Sequence, residues 1–475
     1  MPKTLKLALA AAFPVLLLAG CSDFLKGAGL NTNPNQPTTA TPDQLWVGAQ
    51  VALMAQWENN PWTYMLVWAQ QIAGVNRQWE TYALYTSGTD QFASDGAWNQ
   101  IYGPGGYRDL QSVVASETVT GNLRFRGEAR VLEALWLGTA ADIWGDVPFS
   151  TALSAAPTFD TQATVYTHVL ALLDSAITDL GGAGAGPTAT DFFFGNDKAK
   201  WIAAAHTLKA RFYMHTARTS ATVYSAAALA NVLAETALGI SSSATEWHSS
   251  HTPRPGEQNL WYSFQFSRAS DVDPADVHIS ETKAAGEAVL LPANYLPNFY
   301  GNYYGSVTGH PLGDSVASFA IVNNSATEYG IVQYAENQML RAEAQYRTGA
   351  ITGALATLNA FRVSQGQAAV SPAPALDYHT LNAVLREKYI RLFFNVEVWN
   401  DYLRTCYPNI PLPIGANPNQ KYVPARMPVG YTEQSANGLN VPPQPLGNPG
   451  NANDPKNLTT TNGATACFGQ VNRPN

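Results

Sequence analysis

Apolar residues recur along this chain at helical spacing far more often than in alternation. Val165, Val169, Leu172, Ala176 and Leu180 form one stripe, and Trp201, Ala205, Leu208, Phe212 and His215 form another. Leu385, Tyr389, Leu392, Val396, Trp399 and Leu403 are separated by alternating steps of four and three residues, the period of a helix that buries one face. Glu387 and Arg391 sit one turn apart on the opposite face. Thr41-Pro42-Asp43-Gln44 carries the signature of a helix start, with Thr as N-cap, Pro at the first helical position and Gln closing a capping box. Further helices are predicted around 124–145, 163–180, 197–218, 224–238, 331–348, 351–363 and 380–404. Long alternating strands are absent from the pattern, so any sheet is small.

Ala342 is followed by Ala354 and then Leu358, a spacing at which small residues let two antiparallel helices approach, as in tetratricopeptide units. The predicted fold is therefore mostly α, a stacked tetratricopeptide-like helical array. Two regions break it. Residues 240–330 read as an irregular, aromatic insert, and 405–475 as a Pro- and Asn-rich C-terminal wrap. Loops of that length are functional or disordered far more often than incidental.

The N-terminus has its own logic. Lys3 and Lys6 precede an apolar run from Leu7 to Ala19 that is too short to span a bilayer. It ends in Leu18-Ala19-Gly20-Cys21, small residues before a cysteine that can accept a diacylglyceryl group. Residues 1–20 are thus read as a lipoprotein signal peptide and Cys21 as the lipidated residue. Acyl chains at that position would anchor the protein without a transmembrane helix. Residues 21–40, with Asn31-Thr32-Asn33-Pro34, read as a tether to a single domain over 41–475. With Cys21 acylated, Cys406 and Cys467 remain as a pair, and an exported protein would bridge them. A net charge of -8 argues against nucleic acid as a partner.

Catalytic and metal motifs are weak. There is no HExxH, Walker A or GxSxG pattern. His248 and His251 supply too few zinc ligands, and Asp271, Asp273 and Asp276 lack the glycine and closing glutamate of a calcium loop. Gly103 to Gly106 read as a turn, and His215, on an apolar face, as a packing residue. No cofactor is expected. The 12 tryptophans are more informative. Trp62 and Trp68 lie in a helical run and belong in the core, whereas Trp79 sits in the polar segment Asn76 to Tyr82. A second aromatic group, with Trp247, Trp261 and Tyr303, falls in the insert. An aromatic face beside polar side chains suits a sugar ring, whose C–H face packs on the π-cloud while its hydroxyls hydrogen-bond. The expected ligand-binding residues are Arg77, Trp79 and Tyr82 from one loop, with Trp247, Trp261 and Tyr303 opposite.

Four places resemble the SusD/RagB family of outer-membrane nutrient-binding lipoproteins. They are the Cys21 segment with its Asn-Pro tether, the run from Ala141 through Trp144-Gly145-Asp146-Val147-Pro148-Phe149, the helix pair from Tyr334 to Arg362, and Glu387 leading into Trp399, Asp401 and Arg404. Asn395, Val396 and Val398 depart from the family's usual residues before that tryptophan. The resemblance implies about four tetratricopeptide-like helix pairs carrying a loop-rich ligand-binding face. It also implies capture of an oligosaccharide, or in some members a peptide, and delivery to a TonB-dependent, SusC-like outer-membrane channel without chemistry. A surface glycoside hydrolase and a scaffold lipoprotein of envelope assembly are the competing classes.

Overall fold

The computed structural model describes residues 40–58, 62–74, 76–84, 91–219, 223–268, 271–285, 325–371, 378–408, 410 and 426–442. Cys21, Tyr303 and Cys467 lie outside them. In chain order the elements are α1 (Pro42–Trp57), α2 (Trp62–Trp68), β1 (Ile72–Gly74), α3 (Arg77–Ala83), α4 (Gln91–Tyr102), α5 (Tyr107–Thr120), α6 (Leu123–Trp144), α7 (Gln162–Leu180), α8 (Lys198–Ala217) and α9 (Ala226–Thr236). Then come β2 (Trp247–His248), α10 (Leu260–Arg268), β3 (Val272–Pro274), α11 (Asp276–Ala284), β4 (Gly330–Val332), α12 (Tyr334–Arg347), α13 (Ile351–Ser364), α14 (Tyr378–Arg391), α15 (Glu397–Thr405) and α16 (Tyr431–Asn437). The capping box at α1 forms in full, with Thr41 N–H donating to Gln44 Oε1 at 2.9 Å.

Successive helices pack as antiparallel partners, α6 on α7, α8 on α9 and α12 on α13, in a helical, tetratricopeptide-like array. α6 is buried on every side along most of its length, as a helix at the centre of a large core must be. Gly138 makes that possible: a Cβ there would lie 2.1 Å from Phe212 Cζ. Ala342, Ala354 and Leu358 are fully buried at the α12–α13 contact. The strands form two two-stranded antiparallel ribbons, β1 with β3 and β2 with β4.

The Trp144 to Phe149 segment is a junction. Gly145 ends α6 at φ 81°, Asp146 accepts from the Gln162 N–H that opens α7, and the carbonyls of Pro148 and Phe149 accept from the hydroxyls of Tyr102 and Tyr107. Part of the C-terminal wrap docks on the same place, where Met427 N–H donates to Ile143 O at 2.8 Å.

Several expectations change. The helix expected over 380–404 is two helices. Phe394 between them takes φ 64° and gives its N–H to Gln71 Oε1, while the Asn395 amide donates to the carbonyls of Gly330 and Ile331. Glu387 is buried and pairs with Arg362 as well as Arg391, so it does not face solvent. The described part of the 240–330 insert contains α10, α11, the short strands β2 and β3 and the first residue of β4, so it is less irregular than its composition suggests.

Beneath the array lies a buried network of charges. His215 on α8 bridges Asp142 on α6 and Glu397 on α15. Arg211 Nε lies 2.5 Å from Glu336 and 3.8 Å from Glu397. Lys388 Nζ lies 3.1 Å from Glu397 and 2.8 Å from Asp401, and Arg404 pairs with Glu343 and Asp401. Opposite charges alternate through the network, the condition under which buried ions are tolerated.

Candidate functional site

The segment around Trp79 is a helix, α3, rather than a loop. Asn76 caps it by accepting from Arg77 N–H at 2.9 Å. The chain enters α3 tightly: a Cβ on Gly74 would lie 1.9 Å from the Trp79 carbonyl oxygen, and Arg77 itself takes φ 52°. This geometry turns the Trp79 indole inward, where it is 1% exposed. Its ring lies among those of Tyr64, Tyr82, Trp261 and Phe264, with centroids 5.5 to 6.3 Å away.

The expected stacking platform is therefore corrected. Trp79 and Trp261 are core residues, 1% and 4% exposed, whose rings meet each other and Phe264 tilted or edge-on. Trp247 is fully buried in the same core but packs on other rings, 5.0 Å from Trp201 and 5.2 Å from Phe193. What the sequence marked as a polar segment becomes aromatic core because α10, from the insert, closes over it. Tyr82 stays half-buried at the edge of the cluster.

The accessible chemistry lies at the rim. Asp271, wholly buried, accepts from Arg77 Nη1 at 3.0 Å and faces Arg268 Nη1 at 3.5 Å. Arg268 also reaches Gln78 Oε1 at 3.4 Å. The two guanidinium side chains are 53% and 41% exposed. Each has five N–H donors in a planar fork, so most of them remain turned to solvent. This is a suitable edge for ring hydroxyls.

The opposite end of α10, about 13 Å away for nine residues, borders a cleft of about 360 Å³. One wall comes from α1 and the other from residues 250–260. Glu58, at the end of α1, is the hinge between them. Its Oε1 lies 2.5 Å from His251 Nε2, and its Oε2 accepts from the Leu260 N–H at 3.2 Å. A carboxylate at a helix start is stabilised by the helix dipole. Burial, the largest single influence, would lower the His251 pKa, but Glu58, with help from the Glu257 carbonyl and Glu328, raises it.

Ser249 Oγ also lies 3.1 Å from His251 Nε2. Serine and carboxylate thus meet the same ring nitrogen, whereas a nucleophile relay needs them on opposite nitrogens. In the sequence His251 stands out only as a metal ligand short of partners, and Glu58 does not stand out at all. The two stand 193 positions apart, and no local pattern joins them. Among the described residues no cluster of three or more His, Cys, Asp or Glu side chains could hold a metal ion.

The family model SusD-like_2, described as "Starch-binding associating with outer membrane", matches residues 34–429, and the chain belongs to that family. Similar solved structures include a SusD/RagB family protein from Bacteroides thetaiotaomicron, at 19% identity, TM-score 0.66, covering 91% of this chain and 100% of that one. A chitin-binding protein matches at 19% identity, TM-score 0.67, over 84% and 95%. A chitin-binding SusD homolog from Flavobacterium johnsoniae matches at 18%, TM-score 0.64, over 83% and 94%. At these identities the likeness establishes the fold. A search of curated proteins returns no match. Among the described residues no helix is long and apolar enough to cross a membrane.

Proposed function

We propose that this protein is a lipid-anchored outer-membrane receptor that captures an oligosaccharide along α10 and passes it to a TonB-dependent channel. The observation that carries the reading is the match of residues 34–429 to a family described as starch-binding and outer-membrane-associated. The solved chitin-binding relatives favour a glycan over a peptide. What supports a site along α10 is a cleft at one end of it and two half-exposed guanidiniums at the other. Arg77 and Arg268 donate to hydroxyls, and Tyr82, half-buried on the same helix as Arg77, adds an aromatic edge. Cys21 carries the lipid, and the tether over 21–40 sets the body off the membrane.

Binding fits this arrangement better than turnover, because the serine–histidine–carboxylate meeting point at His251 is wired through a single nitrogen. The test is to offer the full-length chain, held in detergent, a panel of starch- and chitin-derived oligosaccharides and peptides. Saturable glycan binding without release of shorter products is the expected result. Product release would move the protein to the glycoside hydrolases, and silence across the panel would leave the scaffold reading. Replacement of Cys21 by serine is expected to release the protein from the membrane fraction.

A further inference from the structure

His278, on α11, is wholly buried, and among the described residues neither of its ring nitrogens has a hydrogen-bond partner. Its imidazole stacks on Phe393, with centroids 4.5 Å and planes 26° apart, and lies 5.7 Å from the Tyr389 ring. Even a neutral imidazole is costly there, because it buries one N–H and one lone pair unpaired. An imidazolium would add a full charge with no carboxylate against it. Burial accordingly lowers the His278 pKa to about 3.

The ionisable groups around it are committed elsewhere. Tyr389, on α14, turns its hydroxyl to the carbonyls of Ala69 and Gln70. Glu281, one turn along α11, pairs with Arg386 of α14 and accepts from the Tyr407 hydroxyl. On the rest of α14, Glu387 pairs with Arg362 and Arg391, and Lys388 with Glu397 and Asp401. Residues 69–74 and 393–395 bring no ionisable side chain. His278 follows closely on β3, whose pairing with β1 sets Asp271 against Arg77 and Arg268. Gln71 joins the two regions: its carbonyl accepts from the Ala275 N–H at 3.2 Å, and its side-chain amide donates to the Tyr389 carbonyl at 2.8 Å. The seat of α11 and the arginine rim therefore share one support.

We propose that α11 is an acid-released clamp: protonation of His278 drives α11 off α14 and Phe393, and through β3 this unseats the Asp271 contact that positions Arg77 and Arg268. Release of a glycan from that rim rests on the capture reading above; release of α11 does not. The array responds to acid in the opposite sense. Burial raises the pKa values of Glu128 and Glu133 to about 8 and about 7, so their protonation on going from pH 7 to 5 favours the fold. His215 stays charged over that interval. At the cleft end of α10, Glu58 holds the His251 pKa up against burial, so that contact tightens as His251 gains its proton. Burial lowers the His168 pKa too, but that ring stacks on Phe149 at the α6–α7 junction, outside the insert.

A released histidine takes its proton near 6.5, whereas the docked one does so near 3. Docking is therefore undisturbed above 6.5 and weakens progressively below it. Lowering the pH from 7 to 5 shifts the equilibrium about 25-fold toward release. Hydrogen–deuterium exchange of the full-length chain in detergent, corrected for the intrinsic pH dependence of exchange, reads this opening. In the native chain, opening at both α11 and α3 is expected to rise about 25-fold between pH 7 and 5. In His278→Phe, which keeps a ring on Phe393 and cannot take a proton, it is expected to stay level. His278→Leu serves should the first variant fail to fold. Unchanged protection of α11 in the native chain overturns the clamp, and so does a rise that persists in both variants. A rise at α11 without one at α3 overturns its link to the arginine rim. The measurement needs no glycan, so failure of the capture reading and failure of the clamp are told apart.

Discussion

His215 is held between two carboxylates: its Nδ1 lies 2.9 Å from Asp142 Oδ1 and its Nε2 lies 2.9 Å from Glu397 Oε2. The three side chains come from α8, α6 and α15, so this contact fastens the middle of the array to its C-terminal end. Burial would by itself lower the imidazole pKa, but Asp142 and Glu397 overcome it and hold the value up to about 10. Glu397, for its part, is held well below the usual carboxylate range by His215, Lys388 and Arg211 despite its burial.

An unfolded histidine loses its proton near 6.5, whereas the folded one keeps it to about 10. The stabilisation from His215 is therefore complete below 6.5 and is lost progressively as the pH rises toward 10. Its slope is at most about 1.4 kcal/mol per pH unit. Urea midpoints measured from pH 6 to 10 are expected to fall with pH in the native chain. The difference between native and His215→Gln should shrink over the same interval. A difference that stays constant with pH would mean that His215 is neutral in the fold.

Arg404 and Glu343 offer a second probe of the network. Burial opposes the Glu343 charge, yet Arg404 and Arg347 drive its pKa far below the usual carboxylate value. Arg404→Leu leaves Glu343 with Arg347 alone and Glu343→Leu leaves Arg404 with Asp401 alone, so each removes part of a buried charge network, with an expected loss of up to about 3–5 kcal/mol. The double variant should lose much less than the sum of the two, because residues in contact do not add. Strict additivity in a denaturation cycle would show that the pair is not coupled.

The helical pattern was legible because apolar spacing is a local property. Trp201, Ala205, Leu208 and Phe212 form the stripe that α8 buries, and Thr41 and Gln44 form the box their spacing indicates. The apolar face of His215 suggested a packing residue, whereas the buried ring bridges two carboxylates that lie 73 and 182 positions away. The break at Phe394 was hidden for a similar reason. The apolar steps continue across it, and the groups that stabilise it, Gln71 and the Gly330 and Ile331 carbonyls, come from distant segments. The candidate site was the least legible part. Trp79 lies among polar neighbours in the sequence, but its burial is decided by Trp261 and Phe264, which arrive from the insert.

That burial separates two roles which the sequence merged. Trp79→Ala removes a large, fully enclosed side chain and is expected to cost about 3–5 kcal/mol of stability, read as a lower urea midpoint. Arg268, 41% exposed on its side chain, should behave oppositely. Arg268→Ala leaves Asp271 paired with Arg77 and should change stability by no more than about 0.5 kcal/mol while weakening glycan binding. A Trp79→Ala protein of native stability with selectively lost affinity would return Trp79 to the binding face.

Cys406 closes α15 in the left-handed conformation, at φ 60°, and is disulfide-bonded. Its partner lies outside the described residues, where the remaining cysteines are Cys21 and Cys467. The two candidates have incompatible consequences, because a cysteine that carries lipid cannot also form a disulfide. If Cys467 is the partner, a non-reducing peptide map of the full-length protein joins the Cys406 and Cys467 peptides and leaves Cys21 acylated. Cys406→Ser and Cys467→Ser should then lower stability equally, by about 2–5 kcal/mol, and the double variant should go no lower. A peptide joining Cys406 to Cys21 would overturn both the C-terminal pairing and the lipid anchor at Cys21, and with them the outer-membrane attachment proposed here.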